Sequence, residues 1–142
     1  MIRILKENDL DVVMQIWLDT NIGAHGFIPR EYWISNYAAV EKMLPHAEIY
    51  VYENDDTEQI EGFIGVTDHY IAGIFVKGES QSKGIGKQLL DYVKGRKEEL
   101  NLSVYQKNVR AVRFYQREQF FIQSENIEKE TNETEYKMIW CR

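Results

Sequence analysis

Residues 71–76 read Ile71-Ala72-Gly73-Ile74-Phe75-Val76, and shortly after them the chain continues Gln81-Ser82-Lys83-Gly84-Ile85-Gly86-Lys87-Gln88-Leu89-Leu90-Asp91-Tyr92-Val93. The first run has the composition of a buried strand. The second reads as a tight glycine-containing turn feeding an amphipathic helix, with Ile85, Leu89, Val93 and Leu100 marking its apolar face. A helix start of this kind is an anion site, because its first N–H groups lack partners and the helix dipole favours negative charge there. Gly84 and Gly86 carry no Cβ, so a bulky phosphate can come close to the main chain. The stretch is therefore expected to hold a pyrophosphate.

Working outward, the upstream sequence alternates in the manner of a meander. Glu48–Glu53 places Ile49 and Val51 inward and Tyr50 and Tyr52 outward. Asn54-Asp55-Asp56 is a turn, Ile60–Thr67 the returning strand, and Asp68-His69 opens a third strand running to Val76. Before this meander, Ile2–Leu5 reads as a short strand. Asp9 is placed to cap a helix carrying Val12, Val13, Ile16 and Trp17. Thr20–Pro29, with Gly23 and Gly26, reads as a loop, and Pro29 suits the first turn of a second helix reaching about Met43, which Pro45 ends.

Downstream, Leu102–Val104 is a short strand able to pair in parallel with Ile71–Val76, the intervening helix forming the crossover. Asn108 is an N-cap for a helix bearing Ala111, Phe114 and Tyr115. Phe120–Ile127 and Glu135–Trp140 form a closing hairpin around Lys129–Thr134. The order β-α-α-β-β-β-α-β-α-β-β predicts an α/β fold of mixed type. Its central sheet is mostly antiparallel, with helices on both faces and one splayed parallel pair.

Composition narrows the function. A chain of 142 residues with 44% hydrophobic and 13% aromatic residues is one globular domain, residues 1–142. A net charge of −6 gives no basic field for nucleic acid, although Lys83, Lys87 and Lys94 form a local cluster fit for one polyanionic small molecule. The single Cys141 has no partner for a disulfide and reads as a terminal-strand residue in an apolar setting. No Cys/His spacing suggests a metal. No run approaches a signal peptide or membrane span, so a cytoplasmic location without membrane partners is expected. Gly84-Ile85-Gly86-Lys87 is not a phosphate loop of the nucleotide-hydrolase type, since no Ser or Thr follows Lys87 to hold magnesium.

Two patterns carry a resemblance. Gln81-x-x-Gly84-x-Gly86, with the strand before it and the helix after it, resembles motif A of the GNAT superfamily of N-acetyltransferases. Asn108-x-x-Ala111-x-x-Phe114-Tyr115-x-x-x-Gln119-Phe120 resembles that family's motif B. Two positions depart from the pattern: Gly78 stands where proline is frequent, and Gln119 where glycine is usual. Neither removes a catalytic group.

The resemblance implies acetyl transfer from acetyl-coenzyme A, as co-substrate, to a primary amine of a small molecule or peptide by direct attack in a ternary complex. The implied coenzyme site comprises the main chain of Gln81, Ser82, Lys83, Gly84, Ile85, Gly86 and Lys87. Ile74, Phe75 and Val76 would hold the pantetheine arm where the parallel strands splay after Ile74, and Asn108 sits at the mouth. An N–H near Ile74 would face the oxyanion. Tyr115 is the implied general acid, and packing on the Ala111/Phe114 stripe is its structural alternative. For the base, His69, another side chain and water stay open, because strand register decides which way the imidazole faces. The acceptor pocket is expected from Thr20–Trp33, with His25 and Phe27 as its contact residues and Trp33 in the core. A competing reading is a non-catalytic module of the same fold that senses acyl-coenzyme A. The chain is expected as a monomer or homodimer.

Overall fold

The computed structural model describes all of residues 1–142. Its elements are β1 (Ile2–Ile4), α1 (Leu10–Ala24), α2 (Arg30–Met43), β2 (Glu48–Glu53), β3 (Ile60–Thr67), β4 (Tyr70–Val76), α3 (Ile85–Lys94), β5 (Glu99–Tyr105), α4 (Val109–Arg117), β6 (Phe121–Glu128) and β7 (Glu133–Cys141). All seven strands join one sheet in the order β1-β2-β3-β4-β5-β7-β6. Every neighbouring pair is antiparallel except β4–β5. The mixed α/β architecture expected from the sequence is the one observed.

The sheet is covered on both faces, and strand alternation deals the side chains between two cores. Ile49, Val51 and Phe63 join Val13, Met14, Ile16, Trp17 and Trp33 under α1 and α2. Ile64, Val66, Leu100, Leu102 and Val104 join Ile85, Leu89, Leu90, Val93, Val112 and Tyr115 under α3 and α4. Tyr50 and Tyr52 are consequently not solvent-facing as the alternation of β2 suggested. They lie against the second core, with the Tyr50 ring 4.8 Å from that of Tyr92.

Three further boundaries and the setting of Cys141 differ from expectation. Helix α1 runs on to Ala24, so the loop is His25–Pro29 rather than Thr20–Pro29. The helix runs on past Gly23, and the polar side chains ahead of it find partners inside the helix: Thr20 Oγ1 donates to the Ile16 carbonyl at 2.7 Å and Asn21 Nδ2 to the Trp17 carbonyl at 2.9 Å. Leu100 belongs to β5, because α3 stops at Lys94 beside Gly95 and the alternation Leu100, Leu102, Val104 then takes over. Asp68, with φ of 56°, makes the turn before β4, so that strand starts at Tyr70 and not at Asp68. Cys141 ends β7 but is exposed rather than apolar in its surroundings.

Gln119 adopts φ of 73°, the left-handed conformation for which relatives of the motif carry glycine. The backbone path of the helix exit is thus kept at a side-chain strain of about 1 kcal/mol.

Asp9 does not cap α1. Its carboxylate accepts from the Lys6 N–H at 2.7 Å and is gripped by Arg3 at 2.8 and 3.2 Å, while Arg3 also reaches Glu53 at 2.9 Å. Only 10% of the Asp9 side chain is exposed, so this network ties β1 to β2 and to the start of α1 away from bulk water. The hydrogen bond from Arg3 holds the Asp9 carboxyl below its ordinary value against the opposing effect of burial. Asp9→Asn is expected to lower the unfolding free energy by about 1.5–3 kcal/mol at neutral pH, a charged hydrogen bond being lost. The depressed folded value means that this stability is complete above the unfolded carboxyl value of about 3.9 and disappears as pH falls through the folded one. Urea unfolding of the two proteins at neutral and strongly acid pH should show a large gap in the first and a small one in the second.

Candidate active site

The site begins with a conflict over strand β5. It is bound to β7 along its whole length, from Glu99↔Cys141 to Tyr105↔Glu135. Strand β4 is bound to β3 from Thr67↔Tyr70 to Gly62↔Val76. Between β4 and β5 only Tyr70↔Asn101 and Ile71↔Leu102 are paired. The divergence therefore starts after Ile71, three positions before the expected Ile74. A bulge explains the difference: the β3–β4 register jumps from Val66↔Ile71 to Gly65↔Gly73, leaving Ala72 as an extra residue that turns β4 away.

The gap between the strands opens into a cleft of about 1460 Å³. Ile74, Phe75 and Val76 of β4 form one wall, and Asn108, Ala111, Phe114 and Tyr115 of the α4 segment form another. Gln81, Ser82, Gly84, Ile85, Gly86 and Lys87 close one end, α1 contributes Ile16, Thr20 and Asn21, and the residue after it, His25, completes that side.

The turn before α3 runs through left-handed backbone angles at two positions. Gly84 is the N-cap with φ of 83°, and Ser82 has φ of 66°. Gln81 braces this turn by donating from Nε2 to the Val76 carbonyl at 3.0 Å. Arg110 on α4 donates to Gln81 Oε1 at 2.9 Å and to Ser82 Oγ at 3.2 Å, joining the two motifs. Arg110 was not anticipated, since it falls on an unspecified position of the second motif. Thr20, Asn21 and His25 fall within the stretch expected to form the acceptor pocket, whereas Ile16 was read only as part of an apolar helix face.

The basic cluster is less concentrated than expected. Lys87 reaches Glu118 at 3.0 Å and Asp91 at 3.3 Å, contacts that raise its pKa. Lys83 does not line the cleft but a separate polar depression with Lys77, Glu61 and Ser80. Lys94 is turned away, donating to the Glu118 carbonyl at 2.5 Å and lying over the Phe120 and Trp140 rings.

Tyr115 is buried, its ring edge-on to Phe114 at 5.3 Å and to Phe120 at 5.5 Å. Burial, with a smaller contribution from Tyr70, pushes its phenol well above the ordinary value, so it is fully protonated at neutral pH. Asn108 caps α4, its Oδ1 accepting from the Ala111 N–H at 3.3 Å. Its Nδ2 lies 3.2 Å from His25 Nε2, while His25 Nδ1 lies 3.0 Å from the Asn21 carbonyl. These partners fix one tautomer: Nδ1 carries the proton and donates, and Nε2 accepts. Burial lowers the His25 pKa, so the ring is neutral. His25 also stacks on Trp33 at 5.2 Å and meets Phe27 edge-on at 5.7 Å. Trp33 is in the core, as expected.

His69 is not brought to the site. It occupies the exposed turn before β4, at the closed end of the strand pair, where its carbonyl accepts from the Asn101 N–H at 2.8 Å. From there to Ile74 is roughly 16 Å of extended strand.

Comparison with known proteins agrees with this fold. The model of the acetyltransferase (GNAT) domain matches residues 45–120. The chain is 33% identical to the peptidyl-lysine N-acetyltransferase YiaC of Escherichia coli (strain K12) over 142 residues, covering 99% of this chain and 96% of that protein. The solution structure of apo-form YjaB from Escherichia coli superimposes with a TM-score of 0.86 at 21% identity, covering 99% of this chain and 96% of that one. The crystal structure of spermidine N-acetyltransferase from Vibrio cholerae, in complex with CoA and spermine, gives 0.73 at 18% identity, with 99% and 94% covered. The chain belongs to the GNAT family of acetyltransferases.

The two glycines of the turn are expected to respond with opposite signs. A Cβ on Gly84 would meet no atom within 4 Å but would be strained at φ of 83°. Gly84→Ala should therefore destabilise by about 1–2 kcal/mol. A Cβ on Gly86 would meet Phe114, Ile74 and Val76 at 3.7 to 3.9 Å, ordinary contacts within a helix. Gly86→Ala should stabilise by about 0.5–1 kcal/mol. Urea denaturation of both variants checks the pair.

Proposed function

We propose that this chain transfers the acetyl group of acetyl-coenzyme A to a primary amine, the side-chain amine of a lysine in a peptide or protein, within a ternary complex. The observation that carries the reading is the unpaired β4 edge beyond Ile71 facing the buried Tyr115 across one cleft, with the Gly84 helix start at its end. The helix N-terminus and the main chain of Gln81–Lys87 suit the pyrophosphate of the coenzyme. The free edge of β4 suits the pantetheine amides, as an added strand would. An N–H near Ile74 would serve the oxyanion. The peptidyl-lysine activity named for YiaC supports lysine as the acceptor class.

The amine attacks the thioester carbon, the C–S bond breaks, and sulfur leaves with the electron pair. A free thiol titrates near about 8.5 and a free phenol near about 10. Burial makes Tyr115 a weaker acid still, so its contribution is a hydrogen bond to the developing thiolate, with proton transfer following as sulfur departs. Tyr115→Phe is expected to lower kcat about 10²- to 10⁴-fold while coenzyme affinity, read by calorimetry, stays nearly intact. Equal turnover in a phenylalanine protein of unchanged thermal stability would reduce Tyr115 to packing.

The proton of the incoming ammonium needs an acceptor, and His25 takes the place first considered for His69. It is the histidine that lines the cleft, and its Nε2 holds a lone pair offered only to Asn108. A base works when unprotonated. Because burial lowers the His25 pKa, the acid limb of the rate profile should lie below the ordinary histidine value of about 6.5, and the rate should be level through neutral pH. Thiol release measured with two amines of different basicity decides the matter. A limb common to both amines and lost in His25→Gln is the expected result; a limb that tracks each amine's own pKa removes His25 as the controlling base.

A further inference from the structure

One side chain at the cleft mouth is a cation already seated in a cation site. Lys107, in the turn between β5 and α4, lines the cleft beside Asn108 and His25. Its Nζ is 5.6 Å from the centre of the Phe27 ring, an aromatic face attractive to a cation, and 3.1 Å from Glu133. The two partners differ in how firmly they are held. The Glu133 side chain is 16% exposed and the Lys107 side chain 59% exposed, so the carboxylate is built in while the ammonium hangs from a flexible stem. The wall behind is of the same character: the Phe27 ring packs on Tyr105 at 5.7 Å, and Tyr105 donates to Glu128 at 2.6 Å.

Lys77 and Lys87, the other lysines lining the cleft, are both paired at its coenzyme end, with Glu79 and with Glu118 and Asp91. Lys107 is alone on the acceptor side. Nothing in the transfer chemistry requires it there, and removing it would expose an aromatic face and a carboxylate together.

We propose that Phe27 and Glu133 form a subsite for a second positive charge on the acceptor, and that Lys107 is a tethered stand-in which the acceptor displaces. The inference rests on the amine-acceptor reading above and deepens it: preferred acceptors are dibasic, with the reacting amine near Ile74 and a second cation at the mouth. That second charge has two sources, a basic residue flanking the acetylated lysine of a peptide or the distal ammonium of a polyamine.

Thiol release with matched acceptors tests this. One pair is two lysine peptides that differ by an arginine or a glutamine beside the lysine; the other is a diamine and a monoamine of equal length. Wild type should favour the dibasic member of at least one pair in kcat/KM, and the pair that responds identifies the source. Lys107→Gln should widen that preference about fivefold through KM, as expected from unmasking a cation–π and ion-pair site. Lys107→Arg should keep the wild-type ratio, and Glu133→Gln should bring it towards one. Thermal melts of each variant are recorded alongside. Turnover with ratios that do not change across these variants overturns the subsite alone. Absence of turnover with all four acceptors in wild type overturns the amine-acceptor reading, and the subsite with it.

Discussion

A strand cannot keep full pairing with two neighbours that diverge, and the rest of this molecule follows from how that conflict is resolved. Strand β5 stays with β7 over its whole length, and β4 stays with β3, so the parallel seam between them shrinks to the pairs at Tyr70 and Ile71. The bulge at Ala72 sets where the seam ends. Unpaired backbone in a protein interior is costly unless something else satisfies it. A sheet opened in this way therefore has room, direction and unmet hydrogen-bonding capacity for an extended ligand. A helix start, capped by Gly84, lies at the same end of the opening.

Much of this was legible in the residues. The inward Ile49 and Val51 of β2 and the amphipathic run of α3 mark the layers, because burial of apolar side chains is the main driving force for each element. Gly84 and Asn108 were readable because a positive φ and a helix cap demand particular residue types, and Gln81 and Gly86 through the motif pattern they complete. What could not be read was anything set by tertiary register. The bulge at Ala72 leaves no compositional trace, so the divergence was placed too late. Asn21 and Thr20 look like loop residues until the helix supplies acceptors for them. His69 and His25 are chemically equal on paper, and only the Asp68 turn and the bend after Ala24 decide that one faces water and the other the cleft. Arg110 joins the two motifs through a contact that no spacing along the chain foretells.

His25 shows how closely folding and chemistry share parts. Its ring packs on Trp33, Phe27 and Tyr105 as any core aromatic would. Its two nitrogens meanwhile link the end of α1, through Asn21, to the start of α4, through Asn108. The same hydrogen bonds that hold the two helices around the cleft also fix the tautomer, while burial among the aromatic rings lowers the pKa and keeps the ring neutral.

Helix α3 has a second consequence beyond its N-terminus. Its buried residues Leu89, Leu90 and Val93 sit in one core with Ile64 and Ile71 from one side of the opening and Leu100, Leu102 and Trp140 from the other. It is a staple beneath a seam that is itself only two pairs long. A ligand anchored at the first turn of α3 binds the native chain and not the unfolded one, and so adds stability that grows with the logarithm of its concentration. That increment is delivered at the joint between the two halves of the sheet. Occupied, the chain should open as one cooperative unit; empty, the seam is the natural first place for partial unfolding.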